Sequence, residues 1–511
     1  MPIAFRVSGV ARARARVFAT LAATAATLAP VRPQRLDAQS ASTIAIIHVT
    51  VIPMTGVATL TDQTVLLRGE RIVAVGPSAV VRVPPGSRAI DGRGRYLVPG
   101  LWDMHAHLNG DGATRAIIFP LYVANGVTGV RNMIGDCDSL CADRDSAGYS
   151  PPASLVQRWK REIATGRLLG PRIVSAGNGL EGPRPFFPQS RPIRDSADAV
   201  AAVALARAHH SDFIKIIGDV PPQAYFTILR TARMNGLPVA GHVPSGVGPH
   251  AASDSGQRSI EHLFGARYEC AKGLDSANVL RAARARDTSA ARRSELGRAI
   301  THLLAATFDE ASCQPYFARL VRNQTWQVPT LSPPREIGRL DSYVERDDPY
   351  AAYATTKQRL EWKPENDPQY RTMSAADFAS TREQYGNLLR VVGAMWRAKV
   401  PLLVGTDVGT AHVHPGFAVH QELGYFVEAG LTPRAALEAA TIAPARYFGA
   451  TDSLGTVAEG KLADLVLVDA DPLVDIRNLS KISVVVLRGR VLERRELDRL
   501  LREAREYAKA H

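Results

Sequence analysis

The fold turns on the stretch YLVPGLWDMHAH, residues 96–107. It is an apolar run ending in two histidines spaced i, i+2, so both imidazoles share one face of an extended segment. Downstream, seven more short apolar runs recur. They are VTGVRNM at 127–133, RIVSAGN at 172–178, FIKIIGD at 213–219, PVAGHVP at 238–244, SIEHLFG at 259–265, WQVPTLS at 326–332 and LLVGTDVG at 402–409. Helix candidates lie between them, such as PASLVQRWKREIATG and PQAYFTILRTARMNG, with apolar residues every three or four positions. Eight strands alternating with helices predict an α/β protein with a (β/α)8 TIM-like barrel over 99–451. Long stretches at 266–325 and 333–401 read as helical insertions. A substrate wall or lid and a plain surface elaboration are equally open for them.

Outside the barrel the pattern changes. TIAIIHVTVI at 43–52, QTVLLRGERIVAVG at 63–76, LADLVLVDAD at 462–471 and ISVVVLRGRVLE at 482–493 are β-branched runs bounded by turns. They predict a small β-sandwich domain composed of 39–98 and 452–495, with 496–511 as a terminal helix or tail. Residues 1–38 read as a signal peptide. Arginines come first, the apolar run VFATLAATAATLA follows at 17–29, and small residues lie near Ala38. That run is too short to span a bilayer. The expectation is export to the periplasm or the outside, with no membrane contact after signal removal.

The chain has 511 residues, with 62 Lys and Arg against 49 Asp and Glu, a formal charge of +13. Six of those arginines and one acid lie in the first 38 residues, leaving 56 against 48. No dense basic block with interleaved aromatics is present, so nucleic acid is not an expected partner. Four cysteines, Cys137, Cys141, Cys270 and Cys313, are too few for a disulfide scaffold and allow a single optional bridge. Homo-oligomer formation is left open.

Metal-capable side chains gather at strand ends: His105 and His107 on the first run, His242 on the fifth, His262 on the sixth, Asp407 on the eighth. Lys215 sits among isoleucines in the fourth, where a bare ammonium is costly unless paired or chemically changed. The C-terminal end of such strands is the catalytic face of a barrel. His412 and His414 follow Asp407 closely and could touch substrate or cap the metal pocket. Phe186, Phe187 and Trp326 could line an apolar pocket or simply pack.

These motifs, with GVTGVRNMIG at 126–135, GHVPSG at 241–246 and AGLTPRAALEAATIAPARYFG at 429–449, resemble the metal-dependent amidohydrolase superfamily over roughly residues 42–495. The nearest likeness is to imidazolonepropionase-like and Xaa-Pro dipeptidase (prolidase)-like members. The resemblance implies two divalent ions, zinc first, with manganese, cobalt or iron as alternatives. His105, His107 and Asp407 would hold one ion and His242 and His262 the other. Lys215, carboxylated by CO2 to a carbamate, would bridge them. Asp407 would be the catalytic base. Arg131, Asn178, Tyr225 and His412 would meet the substrate. Two departures stand out: Asn132, where relatives commonly carry an aspartate, and GDVPPQAYF in place of a glycine-rich loop. The expected activity is hydrolysis of a C–N amide bond in a small molecule, an Xaa-Pro dipeptide or an N-acyl amino acid. Cyclic amide (imidazolone-like) hydrolysis, ester or lactone hydrolysis, and a non-catalytic interaction barrel are the alternatives.

Overall fold

The computed structural model describes residues 43–135, 153–187, 189–367 and 370–511. The expected signal segment, Cys137 and Cys141 lie outside the described residues. Among the described residues, sixteen strands form two sheets. The first five are β1 (Ile44–Val51), β2 (Leu60–Arg68), β3 (Arg71–Pro77), β4 (Arg88–Asp91) and β5 (Tyr96–Pro99). The barrel strands are β6 (Leu101–Ala106), β7 (Val127–Asn132), β8 (Arg172–Glu181), β9 (Arg191–Pro192), β10 (Phe213–Ile216), β11 (Val239–Gly241), β12 (Ser259–Glu261) and β13 (Trp326–Val328). The last three are β14 (Leu465–Val468), β15 (Ile482–Leu487) and β16 (Arg490–Glu493).

The barrel sheet runs β13-β12-β11-β10-β8-β7-β6, with β9 as a short appendage on β8, and its pairs are parallel. The eighth run closes the ring through single bridges rather than a continuous ladder. Leu403 N donates to Gln327 O at 3.0 Å, Met104 N to Val404 O at 2.8 Å and Asp407 N to His105 O at 2.7 Å. Gly405 explains the close passage: a Cβ there would lie 2.5 Å from Val328 Cγ1 and 2.8 Å from His105 N. All eight expected staves are therefore present.

Strands from both termini build the other sheet, in the order β16-β15-β14-β5-β1-β2-β3, with β4 also on β1. The first half of β1 pairs with β4 and its second half with β5; His48, at φ 55°, lies between. Ile46, Val65, Leu97, Leu465 and Val484 share one core, so the two chain ends bury each other's apolar faces.

The last helix, Arg494–Ala510, buries Leu497, Leu500, Ala504 and Ala508, a helical i, i+3, i+4 stripe. Ala504 and Ala508 cluster with Ile117, Leu121 and Tyr353, so this helix braces the second insertion. In the first insertion Cys270 and Cys313 form a disulfide. Among the described residues no helix is long and apolar enough to cross a membrane.

Candidate metal centre

Asp103, His105 and His107 recur at i, i+2 through the end of β6, one side of an extended chain. Asp103 is fully buried and accepts from Thr406 N at 3.0 Å, Thr406 Oγ1 at 2.6 Å, His105 N at 3.1 Å and Tyr122 Oη at 2.9 Å. It thereby ties the first stave to the turn that carries Asp407. Asp407 itself is left-handed, at φ 56°, a conformation uncommon outside glycine. Its Oδ1 lies 3.3 Å from His105 Nε2 and 3.1 Å from His107 Nε2, and its Oδ2 lies 3.9 Å from His262 Nδ1. The His105 and His262 ring centres are 4.6 Å apart, and those of His242 and His262 4.9 Å. Four histidines and one aspartate from four staves thus converge on one end of the barrel. His105, His107 and Asp407 form a candidate metal-binding cluster.

The groups behind these imidazoles fix which nitrogen is free. His105 Nδ1 lies 2.8 Å from Glu261 Oε2. A carboxylate only accepts, so the proton sits on Nδ1 and the Nε2 lone pair faces Asp407. Thr330 donates its hydroxyl to Pro329 O at 2.8 Å and so accepts from His262 Nδ1 at 2.6 Å. Lone pair facing carboxylate is repulsive unless a cation lies between, whether a proton or a metal ion. Burial pushes His107 down, His262 down to about 3 and His242 well below the usual imidazole range. Neutral imidazole is the ligating form. The oriented donor set therefore fits a metal ion.

Glu261 is itself held. Arg131 donates from Nη2 to both of its oxygens, at 2.8 and 2.9 Å, and Ser259 Oγ donates at 2.6 Å. Burial alone would raise this carboxyl, but Arg131 and His105 outweigh it and keep it well below its ordinary range. Lys215, 2% exposed on β10, lies within the fields of Glu261 and Asp407. Burial lowers its ammonium to about 8 against the pull of those two acids.

Residues 387–492 match the amidohydrolase family model. The chain matches that family over about a fifth of its length. Over 193 residues it is 28% identical to an adenine deaminase of Rubrobacter xylanophilus, a stretch covering 33% of this chain and 32% of that protein. The chain thus spans about a third of that curated relative's length. In fold it is similar to a putative prolidase from Bifidobacterium longum, with TM-score 0.61 and 22% identity over 91% of this chain and 99% of that one. It is also similar to a bottromycin amidohydrolase, with TM-score 0.66 and 22% identity over 91% and 90% of the two chains.

In this barrel two expected substrate contacts lie elsewhere. Arg131 is fully buried, with Nε donating to Met104 O at 2.6 Å and Nη1 to Ser259 and Tyr447, besides Glu261. Its donors are spent inside the barrel, so it positions Glu261 rather than a substrate carboxylate. Tyr225 is also fully buried and donates its hydroxyl to Gln257. It packs with Ile228, Leu229 and Ala232 on the inner face of the helix Pro222–Met234. Asn178 lies within β8, 8% exposed. Asn132 accepts from Leu108 N and donates to Ile134 O and Ser175 Oγ. An aspartate there would have no proton for the last two. Trp326 is buried beside Tyr447 as core, and Phe186 is 78% exposed.

A different aromatic wall stands at the mouth. His107 opens onto a cavity also lined by Ile117, Tyr353, Trp362 and Val413, with the polar Gln358 and His414 among them. Tyr353, Gln358 and Trp362 belong to the second insertion, which therefore reaches the site as a wall. Phe264 stacks on His242 at 4.4 Å. Sequence reasoning missed Asp103 and Glu261. The signal was available: each is a carboxylate inside an apolar stave, the same anomaly that exposed Lys215.

Proposed function

We propose that this chain is a hydrolase of C–N amide bonds that works with two divalent cations at the barrel mouth. His105, His107 and Asp407 would hold one ion and His242 and His262 the other. The observation that carries the reading is the pair of Nε2 atoms converging on one Asp407 oxygen at 3.3 and 3.1 Å, one of them locked from behind by Glu261. When bound, the ions would acidify a water and polarise the scissile carbonyl. Imidazole and carboxylate donors favour zinc, with manganese, cobalt or iron able to use the same set.

The protein's own groups supply the rest. Lys215 is buried at 2% exposure in a setting that disfavours a bare ammonium, which supports conversion to a carbamate. Its free amine would attack CO2 and lose a proton, leaving an anion that both cations would share. Asp407 would take the proton of the attacking water and pass it to the leaving nitrogen, since an amide nitrogen departs poorly as an anion.

The apolar wall beside His107 supports a substrate with an apolar group next to the scissile bond, an N-acyl amino acid or an Xaa-Pro dipeptide. The prolidase among the fold relatives supports the same class. The Cys270–Cys313 bridge supports export to an oxidising compartment. The test is a screen of both substrate classes with zinc- and manganese-loaded protein, run beside Asp407→Asn. The expected result is kcat lowered by about 10²–10⁴-fold with KM little changed. Equal rates for the two proteins would remove Asp407 as the proton carrier.

A further inference from the structure

Five residues beyond Asp407 the chain carries a second His-x-His, His412 and His414. The second insertion folds over it and delivers Asp348. Asp348 Oδ2 lies 3.1 Å from His414 Nε2 and 4.0 Å from His412 Nδ1. The barrel mouth has the same pattern, two histidines at i, i+2 sharing one aspartate oxygen.

His412 is the unexplained member. It is 7% exposed, yet neither ring nitrogen closes a well-formed hydrogen bond, although the Trp362 backbone carbonyl faces the ring. Its backbone is left-handed, at φ 61°, and the ring lines a cavity of about 270 Å³ shared with Glu336, Tyr343, Asp348 and His414. Tyr343 Oη donates to Asp348 Oδ2 at 3.1 Å and Tyr350 N to Asp348 Oδ1 at 2.8 Å, so the carboxylate is oriented before any ligand arrives. Among the described residues, Arg339 is the cavity's one cationic lining residue besides the histidines, and it is directed to Glu336 at 3.8 Å.

We propose a separate divalent-cation site here, held by His412, His414 and Asp348, with Glu336 lining the same cavity as a further oxygen donor. Two imidazoles and carboxylate oxygens select a zinc-class ion. Ligand bonds of about 2.0–2.2 Å at tetrahedral angles separate donor atoms by about 3.3 Å. The His414 contact already matches, while the two imidazole nitrogens stand more than 4.8 Å apart, so the His412 ring swings inward as the ion binds. The ion would clasp the insertion, and with it the Tyr353–Trp362 wall, to the loop after the eighth stave. Its role is structural. The site is distinct from the catalytic pair and does not depend on it.

The experiment is a metal count on the full chain, stripped with chelator, dialysed against zinc with bicarbonate and analysed by mass spectrometry. Three equivalents are expected. His412→Gln and Asp348→Asn should each lose one and keep two, with unchanged circular dichroism. The His105→Ala, Asp407→Asn double variant should keep the clasp equivalent. The wild-type protein supplies an independent readout: zinc should slow proteolysis within 333–375, and chelator should restore it. A wild-type count of two that neither clasp variant lowers, or the absence of zinc protection, would overturn the site. If the clasp fills while the barrel mouth takes no metal, the proposed function fails and this inference stands.

Discussion

Two regions of this molecule use the same three side chains and treat them differently. At the barrel mouth, His105, His107 and Asp407 are backed by a second layer. Glu261 holds the far nitrogen of His105, Arg131 holds Glu261, Thr330 holds His262 and Asp103 holds the Asp407 turn. At the insertion, His412 and His414 meet Asp348, and hydrogen bonds hold the Asp348 carboxylate while none of that kind fixes the His412 ring nitrogens. A cation at the barrel mouth would draw on more than its donors. A rigid second layer fixes tautomer and distance, as chemistry demands. A clasp between two loops can draw its last ligand in on binding.

The largest effect should come from breaking that second layer. Glu261→Gln leaves Arg131 charged, buried and short of its partner, at a cost of about 3–5 kcal/mol in stability. It also frees the His105 ring, so barrel-mouth metal affinity should fall about 10–100-fold while the clasp affinity holds. Denaturant unfolding and competitive chelator titration read the two parts. A variant as stable and as tightly metallated as the wild type would mean that the two regions do not differ in this way. The smallest effect should come from Tyr225→Phe. It removes one hydroxyl from Gln257 and should cost about 1 kcal/mol with KM unchanged. A several-fold rise in KM would return Tyr225 to the substrate and blur the line between packing and site.

Much of the barrel and its mouth is legible in the amino-acid sequence. The eight staves stand out as short apolar runs, and the histidines and aspartate lie at the same end of the first, fifth, sixth and eighth, the end where such barrels carry their chemistry. Tyr225 carries a local signal for packing. Ala224, Tyr225, Ile228, Leu229 and Ala232 form the apolar stripe of a helix, and a tyrosine within it faces the barrel wall. Arg131 is harder. Its strand position says only that it points into or out of the barrel, and its partner Glu261 is 130 residues away. Asp348 is beyond sequence reasoning altogether. It lies 66 residues before His414 in a segment of short helical turns, and only the folded insertion brings it near.

The proposed chemistry rests on Lys215 and the barrel-mouth side chains holding a pair of cations. The zinc content of Lys215→Ala, purified as the full chain and loaded with zinc and bicarbonate, tests this most directly. Both barrel-mouth equivalents should be lost and the clasp retained, with partial recovery when a short-chain carboxylic acid is added. A correctly folded variant with the same zinc count as the wild type would contradict it.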